Sequence, residues 1–579
     1  MIQSSEKQAS FGITNRNLRA AVVVCLVLAA TSCKHTGPVP WNGIRLVEPR
    51  IQLTVDQLNR NALLPFVDLS FYSRPDWARD ATVPFSGSVT FAQTELTAPR
   101  DPFPNEDVFP GFTVEFTTHD QRLIPRISGI VDARPTTDRF WDIILGTGAV
   151  WMEDNDDGWN RASFPLHLIT RYMGSVRNCV ATFVYTQDSM SNVCIQCSQE
   201  TAVLEAQQVG DVQAMVSATY SPETFTDSSE FIADYEARES RRIPVEPLTE
   251  IDRDGRIAAH FDRNIWTNAS TSHGAVFMDG TLYSNPPRTR HGIYPYPDAM
   301  RHGVFSVTKS MAGALAMFYF AERYGEEIFG ELIADYVPAF AGRADWRGVT
   351  FSDALNMVTG TTANEFDLLY EPLTLAPDSE TAIRTISGFG SSPQAPGEVF
   401  NYATTNTFVL SYALENYVRA QEGAGSHYWN LVHENVLVPI GAEDFGLMYT
   451  RDEDPSRAVP ILGFGAYPTL DNAAKIARLI WDEGQHEGTQ LLNRNRVREA
   501  LGRIEWQGYP AGSARYSHSL WSKNVMVGMR RVGVSFMEGL GDNRIVFFPS
   551  GLISFQFTDE FDDGLNELVR AVERVRSSR

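Results

Sequence analysis

The sequence predicts a multidomain protein, with a β-rich amino-terminal domain followed by an α+β carboxy-terminal domain. Its 579 residues exceed what one ordinary hydrophobic core accommodates. Short strand-like runs separated by turn clusters fill residues 51–240, whereas helical spacing appears between strand-like runs in residues 245–579. The formal net charge of −22 argues against binding to nucleic acid or to an anionic lipid surface.

Residues 1–32 have the pattern of a targeting segment. Arg16 and Arg19 precede AAVVVCLVLAA, an apolar run of 11 residues that is too short to span a bilayer comfortably. Small residues and Cys33 follow, and this resembles a bacterial lipoprotein signal in which Cys33 carries the lipid. A plain secretory signal is the alternative. We expect an exported protein, periplasmic or on the cell surface, with residues 33–50 as a tether and the Cys33 lipid as its only membrane anchor.

The strand-like runs of residues 51–240 predict a sandwich-like domain, to which the sequence assigns no role. These short runs alternate with turn clusters, and few stretches here show helical periodicity, which is typical of a β-sandwich. The runs are IQLTV, GSVTFAQTEL, FTVEFTT, VATFVYTQ and QAMVSATY.

Five cysteines are distributed over the chain. Cys25 lies in the targeting segment and Cys33 is the lipidation candidate, which leaves Cys179, Cys194 and Cys197 in the β-rich domain. In an oxidising compartment we expect a disulfide from Cys179 to either Cys194 or Cys197. The C-x-x-C spacing of the last two would also suit zinc or redox chemistry, but a single pair is weak support for a metal site. We predict no metal.

Residues 245–579 predict an antiparallel sheet flanked by helices. GAVFMDGTLYS has the pattern of a hairpin with Asp279-Gly280 at its turn. Two strand-like runs near the end, SFMEGLGDNRIVFF and LISFQFTD, are joined by Pro549-Ser550-Gly551. Helical patterns cover residues 306–324, 407–420, 472–483 and 562–575.

Ser306 and Lys309 lie three residues apart at the start of the first helical pattern. That spacing places a hydroxyl and an amine on the same helix face, where the amine can take the hydroxyl proton. Only five of the 49 basic residues are lysines, and arginine could not act as a base at this position. The alternative is a helix that Ser306 caps, with Lys309 in solvent on its first turn.

FSVTKS at the start of an apolar helix resembles the nucleophile motif of the serine β-lactamase and penicillin-binding-protein superfamily. Further stretches resemble that family's motifs in the same order: residues 349–367, 396–415, 516–521 and 537–551. The likeness covers about residues 245–579 and is closest to class C β-lactamase-related serine hydrolases, in the branch of 6-aminohexanoate-dimer hydrolases and esterases. It implies a β-lactamase/transpeptidase-like domain with a helical subdomain and no cofactor.

The resemblance also implies roles for residues near Ser306. Tyr402 matches the tyrosine of the second motif, which relays protons, and a neighbouring lysine would favour its anion. Asn406, four residues later, matches a substrate-binding or relay position. Gly539 or Leu540 could supply the second N–H that stabilises the oxyanion. Glu538 stands where relatives carry a cation, so it would repel a substrate carboxylate.

These features predict an exported serine hydrolase that cleaves an ester or amide bond through an acyl-enzyme on Ser306. Its partner would be a small-molecule ester, amide or peptide substrate. One alternative is a penicillin-interacting D,D-peptidase or β-lactamase, and another is a non-catalytic binding protein on the same scaffold. The sequence contains no G-x-S-x-G, H-E-x-x-H or phosphate-loop motif that would indicate different chemistry.

Overall fold

The computed structural model describes residues 53–60, 63, 66–97, 105–127, 129–131, 140–172, 174–200, 211–261, 271–361, 365, 373, 376–390, 394–506, 508–558 and 564–577. The predicted targeting segment, the tether and Cys33 lie outside these residues. Among the described helices, none is both long and apolar enough to cross a membrane.

In the described part of the chain, the amino-terminal strands form an 11-stranded sheet and a separate pair, β2–β3. The strands are β1 Gly87–Phe91, β2 Thr94–Glu95, β3 Val108–Phe109, β4 Phe112–His119, β5 Arg122–Pro125, β6 Ile130–Val131, β7 Trp141–Leu145, β8 Gly148–Trp151, β9 Asn160–Thr170, β10 Val176–Tyr185, β11 Val193–Glu200, β12 Val212–Val216 and β13 Ala218–Pro222. The main path is β12-β11-β10-β9-β8-β5-β4-β1-β13, with β7 paired to β9 and β6 to β7.

This sheet is a nearly closed barrel. Strands β12 and β13 are at opposite ends of the path, yet only Ser217 separates them in the chain. Strand β12 pairs with β11 and strand β13 pairs with β1. The continuous stretch of chain from β12 to β13 therefore joins the two ends of the sheet. The β-rich class is confirmed, but the strands do not form the expected sandwich-like pair of layers. Short strand-like runs separated by turns suit both architectures, since each is built from such strands around one core.

Large apolar side chains fill the described interior of the barrel. Phe85 stacks on Tyr220 with ring centroids 4.3 Å apart, and Tyr185 meets the same phenyl ring edge-on at 5.0 Å. Phe116, Phe164 and their neighbours from other strands complete this core.

A disulfide joins Cys179 to Cys197, directly across β10 and β11. Strand alternation explains why Cys194 is not the partner, because residues three apart on a strand face opposite sides. Cys179 and Cys197 face the barrel core, whereas Cys194 packs outside it, with its Sγ 3.7 Å from the Tyr72 hydroxyl. Burial raises the pKa of the Cys194 thiol to about 11, so this cysteine is a poor nucleophile.

The carboxy-terminal strands form a 9-stranded sheet in the order β14-β16-β15-β26-β25-β24-β23-β22-β21, within the residues described. Every neighbouring pair is antiparallel except β14–β16. The strands are β14 Val245–Pro247, β15 Thr271–Met278, β16 Thr281–Ser284, β21 Tyr509–Ala511, β22 Ala514–Ser517, β23 Leu520–Val527, β24 Arg530–Gly539, β25 Asn543–Phe547 and β26 Ile553–Thr558. The short pairs are β17 Arg288–Thr289 with β18 Gly292–Ile293, and β19 Gln485–His486 with β20 Thr489–Gln490.

Helices cover both faces of this sheet. The α-helices are Val55–Leu58, Ser228–Ser240, Arg256–Phe261, Leu315–Tyr324, Ile333–Tyr336, Phe351–Leu355, Ser379–Ser387, Thr404–Glu422, Tyr428–Val432, Leu470–Trp481, Arg494–Ala500 and Leu565–Ser577. Strand alternation separates the two layers. Val276 and Met278 pack on the layer that contains Arg256–Phe261 and Leu565–Ser577, and Ala275 and Phe277 pack on the larger layer around Leu315–Tyr324. The antiparallel sheet flanked by helices is therefore confirmed.

Short 3₁₀-helices and π-helical segments lie between these elements. The 3₁₀-helices are Leu69–Tyr72, Leu248–Glu250, Pro297–Ala299, Glu326–Gly330, Pro338–Phe340, Ala344–Trp346, Pro455–Arg457 and Leu540–Asp542. The π-helical segments are Lys309–Ala314 and His433–Leu437.

Two local predictions have opposite outcomes. The hairpin at Asp279-Gly280 is confirmed, because both residues have the positive φ, 51° and 88°, that this tight turn requires.

The strand predicted from IQLTV is wrong at its end, where Val55–Leu58 is a helix. Thr54 caps that helix by accepting a hydrogen bond from the Gln57 N–H, while the Gln57 side chain accepts one from the Thr54 N–H.

The barrel and the second sheet belong to one compact unit, so the predicted domain limits stay predictions. The stretch that leads to Ser306 lies against β9 and β10. The Tyr294 hydroxyl donates to the Cys179 carbonyl at 2.9 Å, and the Asn178 amide donates to the Arg301 carbonyl at 2.9 Å. The Arg301 N–H in turn donates to the Asn178 side chain at 3.0 Å. The barrel thus fixes the chain five residues before Ser306.

Three buried histidines beside this stretch predict acid sensitivity. Burial lowers the pKa of His167 to about 3 and that of His273 to about 4. The pKa of His302 is also lowered, by burial and by the nearby His273, His167 and Arg301. The unfolded chain binds protons below pH of about 6.5 while these folded histidines stay neutral, so the free energy of unfolding falls as pH drops from there toward 4. For His273 the loss reaches about 3 kcal/mol.

His302→Phe tests this prediction. The His302 ring stacks on Phe557 with centroids 4.2 Å apart, and in the described part of the chain neither ring nitrogen has a hydrogen-bond partner. A phenyl ring preserves the stacking and cannot be protonated. Urea unfolding at pH 7 and pH 5 should show a smaller loss of stability for the variant than for the wild type. Equal losses in the two proteins would contradict the prediction.

Candidate active site

Ser306 lies in a turn at the start of the helical stretch 307–324. The preceding residue, Phe305, has a φ of +44°, a left-handed conformation that bulky residues rarely adopt and that costs about 1–2 kcal/mol. Phe305 is buried, and its carbonyl accepts the Thr308 N–H at 2.9 Å, so the surrounding fold holds this backbone in place. Such strained residues cluster at functional sites.

Lys309 begins the π-helical segment Lys309–Ala314. Single π-helical turns within α-helices occur frequently at functional sites. The Lys309 side chain is directed inward, with Nζ 2.8 Å from Ser306 Oγ, 2.9 Å from Thr404 Oγ1 and 2.8 Å from the Gly463 carbonyl oxygen. Because Lys309 is 1% exposed, the alternative of a solvated first-turn lysine is wrong.

The environment of Lys309 favours its neutral amine. Burial removes water from the ammonium and lowers the lysine pKa to about 8, although the nearby Glu365 carboxylate opposes this effect. With that pKa about a tenth of the lysine is neutral at pH 7, far more than for an ordinary lysine. It can therefore accept a proton from the Ser306 hydroxyl, which is within hydrogen-bonding distance.

Tyr402 lies beside this pair, just before the helix Thr404–Glu422. Its ring centroid is 4.9 Å from Lys309 Nζ, and its hydroxyl lies near the Ser306 side chain. Burial and the adjacent Tyr516 raise the pKa of Tyr402 well above its usual value, and the interaction with Ser306 opposes them only in part. The expectation that the lysine would favour a phenolate is therefore wrong, because the loss of hydration on burial is the largest effect on the Tyr402 pKa. The Tyr402 hydroxyl therefore keeps its proton at neutral pH, and its role as a proton relay stays a prediction.

Thr404 is a site residue that the sequence prediction missed. Its hydroxyl contacts Lys309 Nζ, whereas Asn406 is buried behind the site. The contacts of Asn406 are to the Thr359 hydroxyl at 3.2 Å and to Met357 Sδ at 3.7 Å. The position of Thr404, two residues after Tyr402, was the available signal, because the resembling family often has asparagine there. The substrate role of Asn406 stays a prediction.

Gly539, at the end of β24, lies against the backbone around Ser306. A Cβ atom on Gly539 would be 2.1 Å from the Val304 carbonyl oxygen and 3.0 Å from Ser306 N, closer than packing allows. Only glycine permits this approach. It brings the Gly539–Leu540 backbone next to the Ser306 N–H, the arrangement that an oxyanion site needs. The oxyanion roles of Gly539 and Leu540 stay predictions.

Glu538 is paired with a cation at this edge of the site. Arg544, directly opposite on β25, donates to the Glu538 carboxylate at 2.8 Å and to the Asp542 carboxylate at 2.9 Å. The Arg544 side chain is 4% exposed, so water screens these ion pairs weakly. The repulsion expected from Glu538 alone is accordingly reduced, since the three side chains together carry one net negative charge.

Comparison with known proteins places this geometry in a family context. Residues 273–527 match the Beta-lactamase family model. A D-amino acid amidase from Ochrobactrum anthropi SV3 is 15% identical, over 57% of this chain and 100% of its own, with a TM-score of 0.41. A protein designated as a 6-aminohexanoate-dimer hydrolase from Bacillus anthracis is 15% identical, over 54% of this chain and 79% of its own, with a TM-score of 0.39. No curated protein matches the sequence significantly.

Proposed function

We propose that this chain, which carries a domain of the serine β-lactamase-like superfamily, is a serine hydrolase that cleaves an ester or amide bond through an acyl-enzyme on Ser306. The observation that carries the proposal is the 2.8 Å separation between Lys309 Nζ and Ser306 Oγ, in a site where burial lowers the lysine pKa to about 8. Nucleophile and base are thus adjacent, and the base has a proton affinity suited to neutral pH.

Acylation begins when Ser306 Oγ attacks the substrate carbonyl carbon. The O–H bond of Ser306 breaks as its proton moves to the neutral Lys309 amine, and the new Oγ–C bond turns the carbonyl oxygen into an oxyanion. The Ser306 N–H and an amide of the Gly539–Leu540 backbone face that oxygen. When the intermediate collapses, the bond to the leaving group breaks, and the leaving group takes a proton from Lys309 by way of Tyr402.

Deacylation repeats these steps with water as the nucleophile. Lys309 is again neutral once the leaving group has departed with the proton, so it can deprotonate the incoming water. The hydroxide adds to the acyl carbon, the ester bond to Ser306 breaks, and Ser306 Oγ recovers its proton from Lys309. The cycle needs no oxidant, reductant or second substrate beyond water.

Hydrolysis of a substrate panel tests the proposal. The purified chain should turn over p-nitrophenyl esters or short amides, and Ser306→Ala should lose this activity. Neutral acyl groups are favoured over carboxylated ones, because the net charge of Glu538, Asp542 and Arg544 is negative. Rapid turnover of nitrocefin or a D,D-peptide would favour the peptidase or β-lactamase alternative. Equal activity of Ser306→Ala would contradict the proposal.

The pH dependence of hydrolysis should reflect Lys309. Because only the neutral amine accepts a proton, we expect kcat/KM for a neutral ester to rise with pH through an apparent pKa of about 8 and then to level off. Below that pKa the rate should fall about tenfold for each pH unit. Initial rates between pH 6 and 10 measure this profile. A rate independent of pH across that range would contradict the assignment of Lys309 as the base.

We also propose that the protein is exported and anchored by a lipid on Cys33. The signal-like pattern of residues 1–32 supports this, and the Cys179–Cys197 disulfide is consistent with an oxidising compartment. Palmitate labelling in a Gram-negative host should mark the wild type but not Cys33→Ser, which should leave the membrane fraction. Equal labelling of both proteins would contradict the anchor.

A further inference from the structure

The Thr404 hydroxyl lies between Lys309 and Glu365. Lys309 Nζ is 2.9 Å from Thr404 Oγ1, and that same oxygen donates its hydrogen to Glu365 Oε1. The Thr404 backbone N–H donates to the other oxygen of the Glu365 carboxylate, Oε2, at 2.5 Å. Glu365 thus engages Thr404 through both of its oxygens, one on the backbone and one on the side chain.

The direction of each hydrogen bond follows from what the groups can donate. A carboxylate only accepts, so the single hydroxyl hydrogen of Thr404 is directed to Glu365. The lone pairs of Thr404 Oγ1 are then left for Lys309. Since the Gly463 carbonyl oxygen also only accepts, the two hydrogens of the neutral Lys309 amine are directed to Thr404 and to Gly463.

This arrangement leaves one direction for the Lys309 lone pair. Among the described residues, the remaining hydrogen-bonding neighbour of Nζ is Ser306 Oγ at 2.8 Å, so the lone pair faces the serine hydroxyl and can accept its proton. If the Thr404 hydroxyl were reversed, its hydrogen would compete with Ser306 for that lone pair. The acceptor that prevents the reversal is the Glu365 carboxylate.

We propose that Glu365 is a positioning residue that fixes the direction of the hydrogen bonds from Thr404 to Lys309 and thereby presents the Lys309 lone pair to Ser306. This inference rests on the proposed function, because it concerns the base of that reaction. Glu365 acts through Thr404 and need not touch the substrate.

The charge of Glu365 gives the inference a second observable consequence. The carboxylate raises the pKa of Lys309 against the effect of burial, because it stabilises the ammonium that forms when the proton arrives. Loss of that charge should lower the Lys309 pKa. The part of the rate profile that rises with pH (the acid limb) should therefore move to lower pH. A residue that only supported the fold would not move that limb.

Glu365→Gln is the most direct test, because it preserves shape while it replaces one acceptor oxygen by a donor. The Thr404 backbone N–H can still donate to the oxygen of the new side-chain amide, so the NH₂ group of that amide faces Thr404 Oγ1. The NH₂ group donates to Oγ1, and the Thr404 hydroxyl hydrogen must then be directed toward Lys309. The readout is the rate at which a fluorophosphonate inactivates the full-length protein, measured between pH 6 and 10. We expect the inactivation rate on the high-pH plateau of this profile (the plateau rate) to fall at least about tenfold. General-base catalysis as a whole contributes roughly 10²–10⁴-fold.

Glu398→Gln is the matched control for loss of one negative charge. Glu398 lies exposed in the loop before Tyr402 and accepts only the Ala395 N–H among its contacts in the described chain, at 3.0 Å. It has no contact with Lys309 or Thr404, so its variant should retain both the plateau rate and the acid limb of the wild type.

Thr404 variants test the route of the effect. Thr404→Val removes the hydroxyl without changing its shape, whereas Thr404→Ser retains the hydroxyl between Lys309 and Glu365. We expect the valine variant to lose plateau rate and the serine variant to retain most of it. In the Thr404→Val background, Glu365→Gln should cause no further fall in plateau rate but should still move the acid limb, because the charge acts through space.

The outcomes separate the inference from the proposed function. If the fluorophosphonate does not label Ser306 in the wild type, both fail. If it labels the wild type with an acid limb near pH 8, but Glu365→Gln has the same plateau and limb, the inference alone is overturned. If Glu365→Gln does not fold, a full wild-type rate in Thr404→Val overturns the inference instead.

Discussion

Lys309→Arg is expected to abolish hydrolysis almost as completely as Ser306→Ala, although it retains the positive charge. Arginine stays protonated in proteins, so it cannot accept the Ser306 proton. The general-base contribution, roughly 10²–10⁴-fold in rate, should disappear. The planar guanidinium also cannot reproduce the three contacts of Nζ with Ser306, Thr404 and Gly463.

Steady-state hydrolysis of a p-nitrophenyl ester measures this effect, with thermal unfolding as the check that the variant is folded. Lys523→Arg is the matched control, because Lys523 is another of the five lysines and lies partly exposed on β23. That variant should retain wild-type activity. A folded Lys309→Arg protein with wild-type hydrolysis would contradict the mechanism.

Gly539→Ala should cause the second large loss. Its Cβ would be 2.1 Å from the Val304 carbonyl oxygen, and both partners are backbone, so neither can rotate away. The end of β24 must move away from Ser306 and carry its N–H groups out of the proposed oxyanion site. Loss of one such donor costs about 10²–10³-fold in kcat.

Gly533→Ala is the control on the same strand. Gly533 is exposed, and its Cβ would meet only the end of the Asn524 side chain, at 3.3 Å. Its kcat should stay near the wild-type value. If Gly539→Ala retained full kcat, the close approach of β24 to Ser306 would not be needed for activity.

Local patterns made part of this site predictable from sequence. Ser306 and Lys309 are three residues apart on one helical turn, so their proximity follows from helix geometry alone. The scarcity of lysine made the pair conspicuous. The hairpin at Asp279-Gly280 was predictable for the same reason, because its geometry depends on two adjacent residues.

The contacts around Lys309 depend on the tertiary fold. Thr404 and the Gly463 carbonyl contact Nζ, and Glu365 contacts Thr404, from separate parts of the chain. Thr404 alone had a signal in the sequence, its position two residues after Tyr402, whereas nothing in the spacing pointed to Glu365 or Gly463. Asn406 fits the family pattern better than Thr404 does, but the helix Thr404–Glu422 directs it away from Ser306.

The ion pair between Glu538 and Arg544 could not be predicted from the sequence either. Glu538 and Arg544 are six residues apart, and only the register of β24 with β25 places them opposite each other. Closure of the barrel through Ser217 also depends on long-range pairing. Strand alternation, by contrast, is a local rule, and it could have shown that Cys194 and Cys197 face opposite sides of one strand and that no more than one of them faces Cys179. Which one does so depends on the register of β10 with β11.

The central claim is that Ser306 is a nucleophile activated by Lys309. Its most direct test is mass spectrometry of the full-length protein after reaction with a fluorophosphonate at pH 8, with the modified peptide mapped. We predict a single adduct on Ser306 in the wild type, and almost no adduct in a folded Lys309→Arg variant over the same time. An adduct on another residue, or equal labelling of Ser306 in the variant, would contradict the claim.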